Sequence, residues 1–72
     1  MKVEISTPFI QLDSLLKFSG IADSGSVAKE LIAAGFVTYN GDVCLMRGKK
    51  VYPRDKISVT IPDELKEEIC VE

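Results

Sequence analysis

Phe36-Val37-Thr38-Tyr39-Asn40-Gly41-Asp42-Val43 is the stretch on which the fold turns. Apolar and polar residues alternate up to Tyr39, and Val43 resumes on the far side. Between them stands Asn-Gly, the dipeptide that tolerates positive φ at both centres of a tight turn. A β-hairpin is expected here, and a hairpin needs further strands and a covering layer to be stable.

The covering layer is legible on the N-terminal side. Ala28, Leu31 and Ile32 fall on one face of a helix expected over about Ser26 to Ala34, which Asp23-Ser24-Gly25-Ser26 opens with capping side chains and Gly35 closes. Leu12, Leu15, Leu16 and Phe18 mark one face of an earlier helix, Leu12 to Ser19, with Gly20 as a left-handed terminator. A connection of only about five residues makes the two helices packed neighbours. Ahead of them, Lys2-Val3-Glu4-Ile5 reads as a short strand ended by Ser6-Thr7-Pro8.

On the C-terminal side, strands are expected around Lys50 to Tyr52 and Lys56 to Ile61, joined by Pro53-Arg54-Asp55, where proline presets the first central turn position. The fold class is therefore α+β: two packed helices against a small antiparallel sheet of four or five strands. Residues 1–62 form one domain. Residues 63–72 read as an acidic tail, either frayed or one helical turn, because Leu65 and Ile69 stand four apart.

Composition narrows the function. With 72 residues and 46% hydrophobic content there is one core. A chain this short hides only ~60% of the surface it exposes unfolded, which argues against a deep substrate cavity. There is no histidine, so the usual general base is missing, and Asp13 and Asp23 are better explained as helix-start residues than as a catalytic pair. No enzyme activity is expected. Cys44 and Cys70, without histidines, cannot complete a zinc site, so no metal and no cofactor is expected. Both cysteines read as reduced apolar fillers of a cytosolic protein. No stretch reaches the ~20 apolar residues of a membrane span, and Glu4 interrupts the one segment that could imitate a secretion signal, so the expected location is the cytoplasm.

The net charge of −2 is unevenly placed: residues 1–62 hold eight Lys and Arg against six Asp and Glu, whereas residues 63–72 hold one Lys against five acids. The domain is thus net +2 and the tail −4. The cations gather at Arg47-Gly48-Lys49-Lys50, a loop with no apolar periodicity to bury, whose charges face water or a partner. Ser24, Gly25 and Ser26 open the second helix, where unpaired N–H groups and the positive dipole end favour a phosphate; they also serve as an ordinary cap, and the two roles are compatible. Lys29 points obliquely outward near the same end. Lys17 and Arg54 are second-rank extensions of this patch. Tyr39 and Tyr52 are read as core aromatics rather than base-stacking platforms.

The order of these signals resembles the RNA-binding domain named after small-subunit ribosomal protein four, the S-four domain. The landmarks run from about Ile10 to Val59: Leu12-Asp13 opening a helix, Ser24, Ala28-Lys29, Leu31-Ile32, Gly35, Val37 with Asn40-Gly41, then Pro53, Asp55 and Val59. The segment Arg47-Gly48-Lys49-Lys50-Val51 and the short flanks look most like the stand-alone bacterial members, which implies no attached catalytic domain. The resemblance implies structured RNA of the ribosomal or transfer class as partner, a possible association with the ribosome, and contact through helix two and the basic loops beside it. A monomer is expected. Two positions depart from the family. Gly25 stands where an arginine often follows the serine, which implies one phosphate contact fewer. The usual Pro-Gly-Asp reads Pro53-Arg54-Asp55, which is compatible with a type I turn holding Arg54 at negative φ.

The rival reading is a protein-interaction module that docks its partner through a sheet edge or the acidic tail. A further expectation from the opposed charges is that the tail folds over the basic patch and lowers its affinity for RNA.

Overall fold

The computed structural model describes all 72 residues. Its elements in chain order are β1 (Lys2–Val3), β2 (Ile10–Gln11), α1 (Leu12–Phe18), α2 (Gly25–Ala33), β3 (Val37–Tyr39), β4 (Asp42–Val43), β5 (Lys50–Val51), β6 (Lys56–Ile61) and β7 (Leu65–Val71). Five strands form one sheet in the order β1-β7-β6-β3-β4, and β2 pairs with β5 in a separate two-stranded ribbon. The architecture is α+β, as the hydrophobic pattern indicates. No helix is long and apolar enough to cross a membrane.

The hairpin at Asn40-Gly41 forms as expected. Asn40 has φ 49° and Gly41 φ 95°, the pair of positive values that a two-residue type I′ connection needs. Its strands β3 and β4 pair antiparallel, and β3 continues the sheet through β6, with Val37 opposite Val59 and Tyr39 opposite Ile57.

Strand periodicity sorts the side chains. Ile57 and Val59 of β6, Ile69 and Val71 of β7, and Val37 of β3 are buried on one face, whereas Lys56, Thr60 and Glu68 are exposed on the other. Leu12, Leu15 and Leu16 of α1 with Ala28 and Ile32 of α2 close the core from above. All thirteen buried residues are hydrophobic, so no polar side chain in the interior needs a partner.

Four expectations are corrected. First, residues 63–72 are neither a helical turn nor a frayed tail: β7 lies between β6 and β1, with Ile57 opposite Ile69 and Ile61 opposite Leu65. The spacing of Leu65 and Ile69 fits a helix, but Leu65, Ile69 and Val71 also fit a period of two. The Ile61-Pro62-Asp63-Glu64 turn, with Asp63 at φ 62° and the Glu64 N–H donating to the Ile61 carbonyl at 3.1 Å, returns the chain along β6. Second, the sheet is not wholly antiparallel, because β1 pairs parallel with β7. Third, the strand at Lys50 leaves the main sheet to pair with Ile10 and Gln11. Fourth, Phe18 is 66% exposed; the tight packing of Leu15 and Leu16 fills the helix face, and Phe18 falls outside it.

Candidate nucleic-acid interface

Helix α1 has no side-chain cap at Gln11. Its first N–H groups are satisfied instead by the basic turn: the Leu12 N–H donates to the Lys49 carbonyl at 2.9 Å, and the Asp13 N–H to the Arg47 carbonyl at 3.0 Å. The Lys49 N–H closes the turn on the Met46 carbonyl at 3.1 Å. The loop that carries Arg47, Lys49 and Lys50 is therefore pinned to a helix end by its backbone and not by its charged side chains. Lys49 Nζ lies 4.8 Å from the centre of the Tyr39 ring, and Lys50 Nζ 4.9 Å from that of Phe9, contacts that hold each ammonium over an aromatic face.

At the other end of α1 stands the start of α2. Ser24 is its N-cap, with Oγ accepting from the Val27 N–H at 3.3 Å, and the Ser24 carbonyl accepts from the Ala28 N–H at 3.1 Å. The N–H groups of Gly25 and Ser26 are left without a protein acceptor. Ser24, Gly25, Ser26 and Lys29 are all exposed. Sequence reasoning could not orient Lys17. The fold places it here, since a Cβ built on Gly25 would lie 3.9 Å from Lys17 Cδ. The aliphatic stem of Lys17 thus runs beside Gly25, and it brings a cation to the same end of α2. Asp23, exposed just before the cap, is the nearest acid in sequence.

The two clusters are not one patch. Lys17 and the Ser24–Ser26 segment flank the C-terminal end of α1, and the basic turn flanks its N-terminal end. The whole of α1 is seven residues, a length of roughly 10 Å at 1.5 Å per residue.

Arg54 is exposed in the turn from Tyr52 to Asp55, whose closing bond runs from the Asp55 N–H to the Tyr52 carbonyl at 3.1 Å. The expected type I geometry is corrected: Arg54 has φ 80°, the positive value that position i+2 of a type II turn requires and that glycine adopts freely. Its N–H donates to the Val71 carbonyl at 2.7 Å, so pairing with the end of β7 holds arginine in a conformation that glycine would adopt without strain.

Asp55 organises this turn, a role that the sequence signals only as a family landmark. Its Oδ2 accepts from the Tyr39 hydroxyl at 2.5 Å and from the Tyr52 N–H at 2.8 Å, and its Oδ1 from Asn40 Nδ2 at 3.3 Å. Burial alone would raise its carboxyl pKa, but the bonds from Tyr39, Tyr52 and Asn40, with the charge of Lys49, outweigh it and hold the group below its ordinary 3.8. The same bond first, then desolvation and the carboxylate charge, pushes the Tyr39 hydroxyl up to about 12. Tyr39 is half-buried against the core, as expected for a strand aromatic, but Tyr52 is exposed and packs on Phe9 with ring centres 5.9 Å apart.

The ion pairs of the fold lie elsewhere: the N-terminal ammonium meets Glu67 at 3.7 Å, and Lys2 meets Glu72 at 3.9 Å. None of the candidate cations is neutralised by a carboxylate within salt-bridge distance. The expectation that residues 63–72 fold over the basic patch is overturned by β7, whose backbone is engaged along β6 and beside β1.

Two helices thus pack on a hairpin-led sheet, with a basic turn fastened to the start of α1. The family model of the S4 domain matches residues 3–67, nearly the whole chain, and the chain belongs to that family. Members of the family are generally RNA-binding and generally non-catalytic. No curated protein matches the chain in sequence.

Proposed function

We propose that this domain binds structured RNA of the ribosomal or transfer class without catalysing a reaction on it, as a cytoplasmic monomer associated with the ribosome. One group of phosphates meets the N–H groups of Gly25 and Ser26, the Ser24 hydroxyl, Lys17 and Lys29. A second meets Arg47, Lys49 and Lys50, with Arg54 beyond them. Arg47 can grip a phosphate with two parallel bonds, whereas the lysines act as point charges.

The observation that carries this reading is the pinning of the Arg47 and Lys49 carbonyls by the first N–H groups of α1. It sets a fixed spacing between two cationic sites, and a fixed spacing is what a module needs to read the backbone of a folded RNA by shape. With the four cations Lys29, Arg47, Lys49 and Lys50 engaged, and Lys17 or Arg54 as a fifth, binding should weaken with salt at a log–log slope of roughly −3 to −4.

The test is a salt series of binding to a structured RNA, for the intact protein and for a variant with Arg47, Lys49 and Lys50 all changed to alanine. Loss of most of the affinity and a shallower salt slope, in a variant that keeps the parent's circular dichroism, is the expected result. Absence of binding by the parent at low salt would sink the reading and favour a protein partner at the exposed edge strand β4.

A further inference from the structure

Between β4 and the basic turn, the chain exposes three apolar side chains nearly in succession: Val43 at 61%, Leu45 at 64% and Met46 at 66%. With Tyr39 and Lys49 they line an open cleft of about 250 Å³, with Asp42 as its one acid. Scattered surface apolar residues are ordinary, but a contiguous group of them marks a contact site. The rim of this one bears Lys49, and Arg47 follows Met46 directly in the chain.

That combination selects the chemistry of the occupant. Phosphates need the cations and have no use for the apolar floor, and an apolar protein segment has no use for the cations. A nucleotide whose base is out of the stack presents both: an anionic phosphate and a flat apolar face. Leu and Met side chains suit such a face, the thioether being polarizable and adaptable against aromatic rings. Asp42 can accept from an exocyclic amino group of the base.

We propose that this cleft receives one unpaired nucleobase, so that the RNA recognised is a helix interrupted by a bulge or loop and not an uninterrupted duplex. This rests on the RNA-binding reading and adds to it the feature that separates a target from other structured RNA. The base sits on Leu45 and Met46 while its own phosphate and the next engage Lys49 and Arg47.

The experiment uses two RNA hairpins identical except for one bulged 2-aminopurine in the stem of the first. Binding at low salt is measured for the intact protein and for a Leu45→Ser, Met46→Ser double variant. Both residues are solvent-exposed, and a thermal melt verifies that the variant is folded. The parent should bind the bulged hairpin about five- to tenfold tighter than the paired one, in the range of a single base contact, with a change in 2-aminopurine fluorescence. The double variant should bind both at the parent's affinity for the paired stem. Equal binding of the two hairpins by the parent, or a preference retained by the variant, overturns the base site and leaves phosphate binding standing. If neither hairpin binds, the RNA reading itself falls, and the base site with it.

Discussion

The Tyr39 hydroxyl donates to Asp55 Oδ2 at 2.5 Å, and this bond ties the end of β3 to the turn that starts β6. The same carboxylate holds the Tyr52 N–H and the Asn40 side chain, while the Tyr39 ring lies under Lys49. One acid thus connects the hairpin turn, the Pro53-Arg54 turn and a cation of the candidate interface. Replacing Tyr39 by phenylalanine removes one hydrogen bond to a charged group and should cost about 1–2 kcal/mol. Asp55→Ala removes three hydrogen bonds to a charged group, two of them at the surface, and should cost more, about 2–3 kcal/mol. Urea denaturation of the two variants beside the parent measures both, and equal stability of Tyr39→Phe and parent would contradict the role assigned to this bond.

The pH dependence follows from the same pair. Asp55 has its folded pKa lowered, so the unfolded chain binds its proton first as pH falls. Its contribution is present above the ordinary 3.8 and is lost as pH drops through the lower folded value. Tyr39 has its folded pKa raised from 10.0 to about 12, so its contribution is present below pH 10 and is lost between pH 10 and 12. Melting temperature should therefore fall at both extremes, and the gap between parent and Asp55→Ala should narrow as pH falls below 3.8. In a Tyr52→Phe variant, where Tyr39 is the remaining phenol, its ultraviolet titration should be centred near 12.

Truncation after Pro62 should abolish the fold rather than release a tail. It removes β7, which carries the buried Ile69 and Val71 and separates β6 from β1. Short of deletion, Ile69→Ala should cost about 2–5 kcal/mol. A cooperative melt of the truncated chain at the parent's temperature would refute the structural role of this strand.

Arg54→Gly separates charge from strain. Positive φ costs a non-glycine residue about 1–2 kcal/mol, of which glycine returns about 0.5–1 kcal/mol through its freer unfolded chain. The variant should be about 0.5 kcal/mol more stable than the parent, and its RNA affinity should fall slightly if Arg54 contacts phosphate. A destabilised glycine variant would mean that the arginine side chain supplies packing or charge that offsets its backbone strain.

Ser24→Ala removes the side chain that caps α2 and should cost about 1 kcal/mol. The same change tests the candidate phosphate site, where the hydroxyl would be lost as a donor. A comparison of denaturation midpoints with RNA affinity separates the two effects.

What the sequence by itself determined depends on neighbours along the chain. The Asn40-Gly41 turn, the extents of α1 and α2, the Ser24 cap and β6 follow from steric preference, capping chemistry and periodicity, all local properties. The basic segment 47–50 and the family landmarks were likewise visible in order. Tertiary structure decided what depends on residues far apart in sequence. Leu65 and Ile69 are compatible with two periods, and only the open flank of β6 made them a strand. Arg54 takes positive φ because the Val71 carbonyl waits for its N–H. Lys17 reaches Gly25 because α1 and α2 pack against each other, and the basic turn is fastened to α1 because the uncapped start of that helix needs its carbonyls. Long-range pairing of backbone groups carries no local sequence signal, since any residue but proline can donate and every residue can accept.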